Sequence, residues 1–411
     1  MNTPPHLIPR TSYLDRLQRL RQTHFIKVIM GPRRSGKSTL LHLHREALRR
    51  EGVPENHIIS FNLDDIADEQ AKSAEGLYQS IICRIVDDET HYVYIAEVQE
   101  CVGFEHVLNS LLLKPNLDVY VTGSNAYLLS GELATYLTGR YMPLEVMPYS
   151  FAEFRLAVES DQYTKEEDFN RYVNIGSFPA AAVLRDNDAL LNDYYEMLVT
   201  GVLFRDIQSR LELRDANLLR KLVNTLASFI GSAVSARNIT NTLVSAGHTV
   251  SNKTISAYLT GIEASYIFLK VPRYDVVGRK ILTTQEKYYL CDPGLHRRLV
   301  HASDPAYGRL LENIVFLELR RRYTSVFIGK AGQNEVDFVA LRGDDVHYYQ
   351  VSTSVLDPEV YKREVGAFSG IRDNHERFLL TLDTLGAGRN INGIKQLNVL
   401  DWLLDPSETK A

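Results

Sequence analysis

Residues 31–39 read Gly31, Pro32, Arg33, Arg34, Ser35, Gly36, Lys37, Ser38, Thr39, which matches G-x-x-x-x-G-K-[ST]. That spacing suits one kind of chemistry, the holding of a phosphate chain. Glycines let backbone N–H groups close around phosphate oxygens, and a helix starting at Lys37 turns its positive dipole end to the same anion. Lys37 reaches the terminal phosphates, and the Ser38 hydroxyl is suited to Mg2+. Residues 31–39 are therefore the candidate nucleotide-binding loop, with Lys37 also a catalytic candidate and Ser38 the metal ligand.

The flanking residues must hold this loop. "FIKVIM" (Phe25 to Met30) reads as a buried strand, and "LLHLHREAL" after the loop has helical spacing. Strand, loop and helix together predict a nucleotide-binding parallel α/β sheet. "HIISFNLDD" (His57 to Asp65), "HYVYIAEVQE" (His91 to Glu100) and "LDVYVTGSNAYLL" (Leu117 to Leu129) supply further strands. The His91 strand stands where a Walker B strand belongs. Glu97 takes the place of the water-activating carboxylate, and Ala96 that of the aspartate that normally fixes magnesium. An alanine methyl cannot bind a cation. The expectation is nucleotide binding through the loop with severely weakened hydrolysis. The alternative is an ordinary core strand with a solvent-facing Glu97, in which case Asp64 or Asp65 is the next acid to examine. Ser124 and Asn125 suit sensing of a γ-phosphate, and equally suit a helix N-cap. Arg140, after Gly139, has the loop setting of an arginine finger or of a plain surface arginine.

The 411 residues suffice for about two to three domains. A chain 45% hydrophobic and 24% charged is an ordinary globular one, and a net charge of -5 leaves only a local patch for any nucleic acid. Cys83, Cys101 and Cys291 are too few and too scattered for a disulfide framework or a zinc site, which fits a reducing cytoplasm. "MNTPPHLIPR" lacks the apolar core of a signal peptide, and no apolar run approaches the ~20 residues that span a bilayer.

"GPRRSGKSTLL", "YIAEVQE", "VTGSN", "TGRYMPLEVMPYSFAEF", "GRLLENIVFLELRRR" and "NEVDFVA" occur in this order along the chain. Together they resemble a family of prokaryotic AAA-type P-loop ATPases with a C-terminal domain of long-unassigned function. The resemblance covers nearly the whole chain. It implies ATP as the nucleotide and assembly into a homo-oligomer, with a ring expected. The family's third strand usually ends Asp-Glu-Ile-Gln, and here Ala96, Glu97, Val98 and Gln99 stand in its place.

The middle of the chain reads mostly helical. A helix over Ser235 to Ser245, a turn at Gly247, a helix over Asn252 to Ala264 and a strand over Ile267 to Arg273 follow the order of a winged helix-turn-helix. Ser251 is suited to cap the second helix. Asn252, Lys253, Thr254 and Ser256 are its candidate DNA contacts, and two strands around Gly278, Arg279 and Lys280 would form the wing. The same module can serve only as a lid or an oligomer contact. Arg205 and Asp206 suit either a nucleotide sensor or a surface ion pair.

Beyond it, an amphipathic helix carries Glu312, and three strands follow, with Asp337 on the second and Gln350 and Ser352 on one face of the third. The layout resembles the PD-(D/E)xK nuclease fold, in which a helix Glu, a strand Asp and a following (Asp/Glu)-x-Lys hold magnesium. Gln350 and Ser352 replace the last acid and the lysine, so nuclease activity is not expected. Lys330 and Lys362 are candidates for a displaced lysine. The alternative is an assembly domain in which Asp337 is a strand-end acid.

The fold class expected is thus α/β. Residues 1–155 form an AAA-type core around a parallel sheet, 156–210 a helical lid or linker, 211–300 a winged-helix-like domain, and 301–411 a restriction-endonuclease-like α/β domain. The function expected is ATP-driven remodelling or branch migration of DNA in repair or recombination, with DNA, branched forms included, as partner and no membrane. The competing class is a nucleotide-switched regulatory or scaffold protein, in defence for example, that binds protein.

Overall fold

The computed structural model describes residues 7–124, 137, 139–160, 162–202, 207, 215–245, 247–300 and 307–405. They fall into two compact units, Met1–Pro148 with Ala264–Tyr266, and Tyr149–Glu263 with Ile267–Ala411.

The first unit is built on five parallel strands in the order β2-β3-β4-β1-β5. These are β1 (Ile26–Met30), β2 (Ile58–Asn62), β3 (His91–Ala96), β4 (Leu117–Gly123) and β5 (Tyr141–Glu145), with helices α1 (Thr11–Leu20), α2 (Lys37–Arg50), α3 (Ala74–Ile82) and α4 (Phe104–Leu111). β1, all buried, reads as an unbroken apolar run but for Lys27, as a parallel strand covered on both faces should. Lys27 is tolerated because it forms a fully buried ion pair with Asp118. Asp118 also accepts from the Tyr120 hydroxyl (2.9 Å) and the Gln22 N–H (2.9 Å). One face of the sheet packs on Leu77, Ile81, Leu108 and Leu111 of α3 and α4. The other packs on Leu17, Leu40, Leu41 and Leu48 of α1 and α2. His44 of α2 enters that second layer, with its Nδ1 2.9 Å from the Tyr94 hydroxyl.

The second unit begins with helices α5 (Phe151–Ala157), α6 (Lys165–Ile175), α7 (Pro179–Val183) and α8 (Asp188–Gly201). Ser150 and Thr164 each close a capping box, with Glu153 and Glu167, at the starts of α5 and α6. Then come α9 (Ala216–Ser228), β6 (Ala233–Val234), α10 (Ala236–Ser245), α11 (Asn252–Ala264) and a hairpin of β7 (Phe268–Asp275) and β8 (Lys280–Leu290). The two expected helices and the expected hairpin are therefore present, and Ser251 caps α11 by accepting the Thr254 N–H at 3.1 Å.

The chain continues through α12 (Pro293–Leu299), α13 (Tyr307–Arg322), β9 (Ser325–Ala331), β10 (Asn334–Arg342), β11 (Asp345–Ser352), α14 (Pro358–Gly366), β12 (Glu376–Thr381), β13 (Asn390–Ile391), β14 (Ile394–Asn398) and α15 (Val399–Leu404). Strands β6 to β14 make one mixed nine-stranded sheet, in the order β13-β14-β12-β11-β10-β9-β7-β8-β6. β7 pairs in parallel with β9, so the hairpin after α11 is continuous with the C-terminal sheet. Asn313 stitches the same junction, accepting from Leu290 N–H (2.8 Å) and donating to Leu290 C=O (2.9 Å). A second tie is Asp292, fully buried, which accepts from the Ser177 hydroxyl (2.7 Å) and the Leu295 N–H (3.0 Å). Gly176 must be glycine there. Its φ is +95°, and a Cβ would lie 1.8 Å from the Tyr195 hydroxyl oxygen.

Candidate functional site

The strand order sets β3, β4 and β1 side by side with their C-terminal ends on one edge. Glu97, Ser124 and Gly31 leave that edge directly after Ala96, Gly123 and Met30. Open α/β sheets take their ligands at this edge.

The loop that follows β1 has the geometry its sequence calls for. Gly31 has φ +139°, and a Cβ on it would lie 2.3 Å from the Val146 carbonyl oxygen. α2 starts at Lys37 with no acid in its first turn, so nothing there offsets its positive end. Lys37 is buried, with Nζ 2.9 Å from the carbonyl oxygens of both Gly31 and Pro32. Ser38 is exposed, whereas Thr39 and Arg33 are half-buried. Three polar atoms in the loop and at the neighbouring strand ends are buried without a protein partner: Ser35 Oγ, Ser124 Oγ and Gln99 Oε1. Each costs about 1–3 kcal/mol while unpaired. A phosphate chain with its water shell would satisfy groups of this kind, so the residues fit a nucleotide.

Arg10, which sequence reasoning missed, braces the loop. Its Nη1 donates to Ser35 C=O (2.9 Å) and its Nη2 to Met147 C=O (2.8 Å), with the guanidinium over the Tyr13 ring. The only signal was a lone arginine ahead of α1.

At the end of β3, Ala96 stands in register with Asn62. Glu97 is left-handed (φ +52°), a strained conformation for a residue with a Cβ. Its N–H donates to Thr122 Oγ1 (3.1 Å), and its Oε2 accepts from Gln99 Nε2 (2.7 Å). The carboxylate is thus oriented, and Ala96 before it carries no charge. Asp64 and Asp65, the other acids named from the sequence, follow β2. Both are exposed, and Asp65 Oδ1 accepts the Ala67 N–H (3.0 Å) as a cap. Asn125, Arg205 and Asp206 lie outside the described residues. Arg140 is exposed and donates to Asn109 Oδ1 at 3.0 Å.

On α11, Asn252, Lys253 and Ser256 face solvent as expected. Thr254 differs, because its hydroxyl lies 2.9 Å from Ser251 Oγ and belongs to the cap.

The C-terminal sheet gathers Glu312, Glu335, Asp337, Gln350 and Glu364 around a cleft of about 730 Å³. Asp337 Oδ2 accepts the Val351 N–H (2.9 Å), and its own N–H donates to Gln350 Oε1 (3.2 Å). Gln350 Nε2 donates to Glu364 Oε2 (2.8 Å), and the Ser352 hydroxyl to Ser354 C=O (3.0 Å). Of the two lysines named from the sequence, Lys362 lines the cleft and Lys330 is exposed. The buried lysine is Lys287, on β8, with Nζ 3.1 Å from Glu312 and 3.0 Å from Glu335. Burial disfavours its charge, but Glu312, Asp337 and Glu335 outweigh that and raise its pKa. Burial, then the charge of Glu312, pushes Asp337 well above the usual carboxylate range, against the pull of Lys287. Alternation with Tyr289 on β8 was the available signal for Lys287, since both contact Glu312.

A separate group, His57, Asp87 and His91, brings three ligand atoms within 4.8 Å of one another. The two imidazoles stack at 4.5 Å with planes 22° apart, and His91 Nε2 already accepts the Val86 N–H (3.2 Å). In-plane lone pairs of stacked rings do not converge on one ion, so this group reads as structural.

Residues 23–155 match the family described as AAA domain, and residues 166–306 a domain of unknown function. An uncharacterized protein of Haemophilus influenzae is 36% identical over 401 residues, covering 97% of this chain and 99% of its own. The chain belongs to the same family as that protein. This AAA-domain protein is also 26% identical over 361 residues to an uncharacterized protein of Methanocaldococcus jannaschii, covering 84% of this chain and 78% of the other. Among solved structures, the Aeropyrum pernix ORC1 protein in complex with DNA is 13% identical with a TM-score of 0.33, over 76% of this chain and 96% of that one. AMPPCP-bound DnaA from Aquifex aeolicus is 13% identical with a TM-score of 0.33, over 64% and 89%. Among the described residues, no helix of the AAA-domain protein is long and apolar enough to cross a membrane.

Proposed function

We propose that the chain binds ATP with magnesium at residues 31–39, and that its family's work is ATP-driven remodelling or branch migration of DNA by a homo-oligomeric ring. The observation that carries the nucleotide assignment is the loop itself, with Lys37 at the loop carbonyls and unpaired Ser35, Gln99 and Ser124 atoms around it. When bound, ATP supplies the phosphoanhydride whose cleavage releases free energy. Lys37 would hold the terminal phosphates, Ser38 the magnesium, and Glu97, fixed by Gln99, would take the proton of the attacking water. Ala96 withholds the second protein ligand for the metal, so this chain is a binder that turns over slowly. Arg140 is the candidate finger toward a neighbouring subunit.

Support for DNA comes from the α10–α11 pair with its hairpin, which this reading takes as a winged helix, and from the exposure of Asn252, Lys253 and Ser256. The same reading takes the α13, β9–β11, α14, β12 segment as nuclease-like, for which the element order is the support. A second reading, a nucleotide-switched scaffold that binds protein, has its own observation. Lys253 is the single cation at the start of α11, which is thin for affinity built on phosphate contacts. Binding of branched and duplex DNA across a salt series separates the two. The DNA reading expects ATP-dependent binding, tighter for branched DNA, that falls steeply with salt. No binding at low salt supports the scaffold.

A further inference from the structure

In a PD-(D/E)xK site the helix Glu and strand acids must turn free oxygens toward one divalent cation. In the cleft on the C-terminal sheet, each of these acids already has an oxygen engaged by a protein donor. Glu312 Oε1 receives the Lys287 ammonium at 3.1 Å and the Tyr289 hydroxyl. Glu335 receives the same ammonium at 3.0 Å and Arg273 at 3.1 Å. Asp337 is held by the Val351 N–H. The position of the third acid is Gln350, and its amide is needed as it stands. It donates to Glu364 at 2.8 Å, where a carboxylate would meet another carboxylate. Among the described residues these acids do not form a three-ligand group, whereas His57, Asp87 and His91 do.

We propose that the Lys287 ammonium is the resident cation of this cleft and stands in for a divalent metal, so that the fold keeps its charge balance without one. Lys287 comes from β8, the hairpin strand after α11, and not from β11, where the resemblance to a PD-(D/E)xK nuclease would put the lysine. Its side chain is 6% exposed, behind a cleft wall formed by Glu312 and Glu335. The continuous pairing of β8, β7 and β9 places it there. The inference does not depend on whether the protein acts on DNA.

The test uses full-length, nucleotide-free protein with Lys37→Ala, so that the phosphate loop contributes no metal signal. Mn2+ is titrated and its free form followed by electron paramagnetic resonance, with thermal midpoints in EDTA and in millimolar Mn2+. The parent should bind no equivalent of Mn2+, should show the same midpoint in both, and should leave DNA uncut. Lys287→Met should lower the midpoint in EDTA and recover several degrees with Mn2+, a recovery lost when Asp337→Asn is added. A Lys287→Met protein that folds only with Mn2+ supports the proposal equally, and Lys287→Arg should behave as the parent. One equivalent of Mn2+ bound by the parent and lost in Asp337→Asn overturns the proposal. So does a Lys287→Met protein as stable as the parent without metal.

Discussion

The Gln99 side-chain amide donates to the Glu97 carboxylate at 2.7 Å, and holds it at the end of β3 directly after Ala96. Glu97 is further fixed by a left-handed backbone and by the bond from its N–H to Thr122. A general base must be aimed before its pKa matters. In protein carrying Ala96→Asp, Gln99→Ala should lower kcat about tenfold, or ~1.4 kcal/mol, with a smaller loss of ATP affinity. Steady-state phosphate release over a range of ATP concentrations reads the two separately. A change in affinity alone would make Gln99 a binding residue.

Lys37 carries the binding prediction. Its ammonium sits at the carbonyls of Gly31 and Pro32. Lys37→Ala should abolish measurable ATP binding in a calorimetric titration. An unchanged affinity would remove the phosphate-loop assignment.

His44 gives the first unit a pH dependence. Burial lowers its pKa from 6.5 to about 4. The folded chain therefore keeps His44 neutral between those values, while the unfolded chain takes up a proton near 6.5. Stability is full above that pH and is lost as pH falls toward 4, by about 2 kcal/mol at pH 5. Urea unfolding at pH 7 and pH 5 should show this loss in the wild type, and a smaller one in His44→Gln. Equal losses in the two proteins would refute the assignment.

What the sequence made legible was local. Gly31 to Ser38 could be read because phosphate binding needs its donors contiguous, and the helix Asn252–Ala264 because cap and apolar spacing coincide there. Glu312, Asp337, Gln350 and Ser352 were placed on the right elements for the same reason of period and order. Lys287 left only the signal of its alternation with Tyr289, since its partners Glu312 and Glu335 lie on other elements that tertiary packing alone brings to it. The parallel pairing of β7 with β9, across α12 and α13, is likewise a long-range choice that no local pattern encodes. Arg10 acts through backbone carbonyls, which leave no side-chain pattern to recognise.

The central claim is that β3 is a Walker B strand lacking only its metal-holding acid. Phosphate release at saturating ATP and magnesium, from this chain and from Ala96→Asp, tests it most directly. Restoring the acid should raise the rate at least a hundredfold, or about 2.7 kcal/mol of transition-state stabilisation, and Glu97→Gln in that background should remove the gain. Equal rates for the Ala96 and Ala96→Asp proteins would contradict the account.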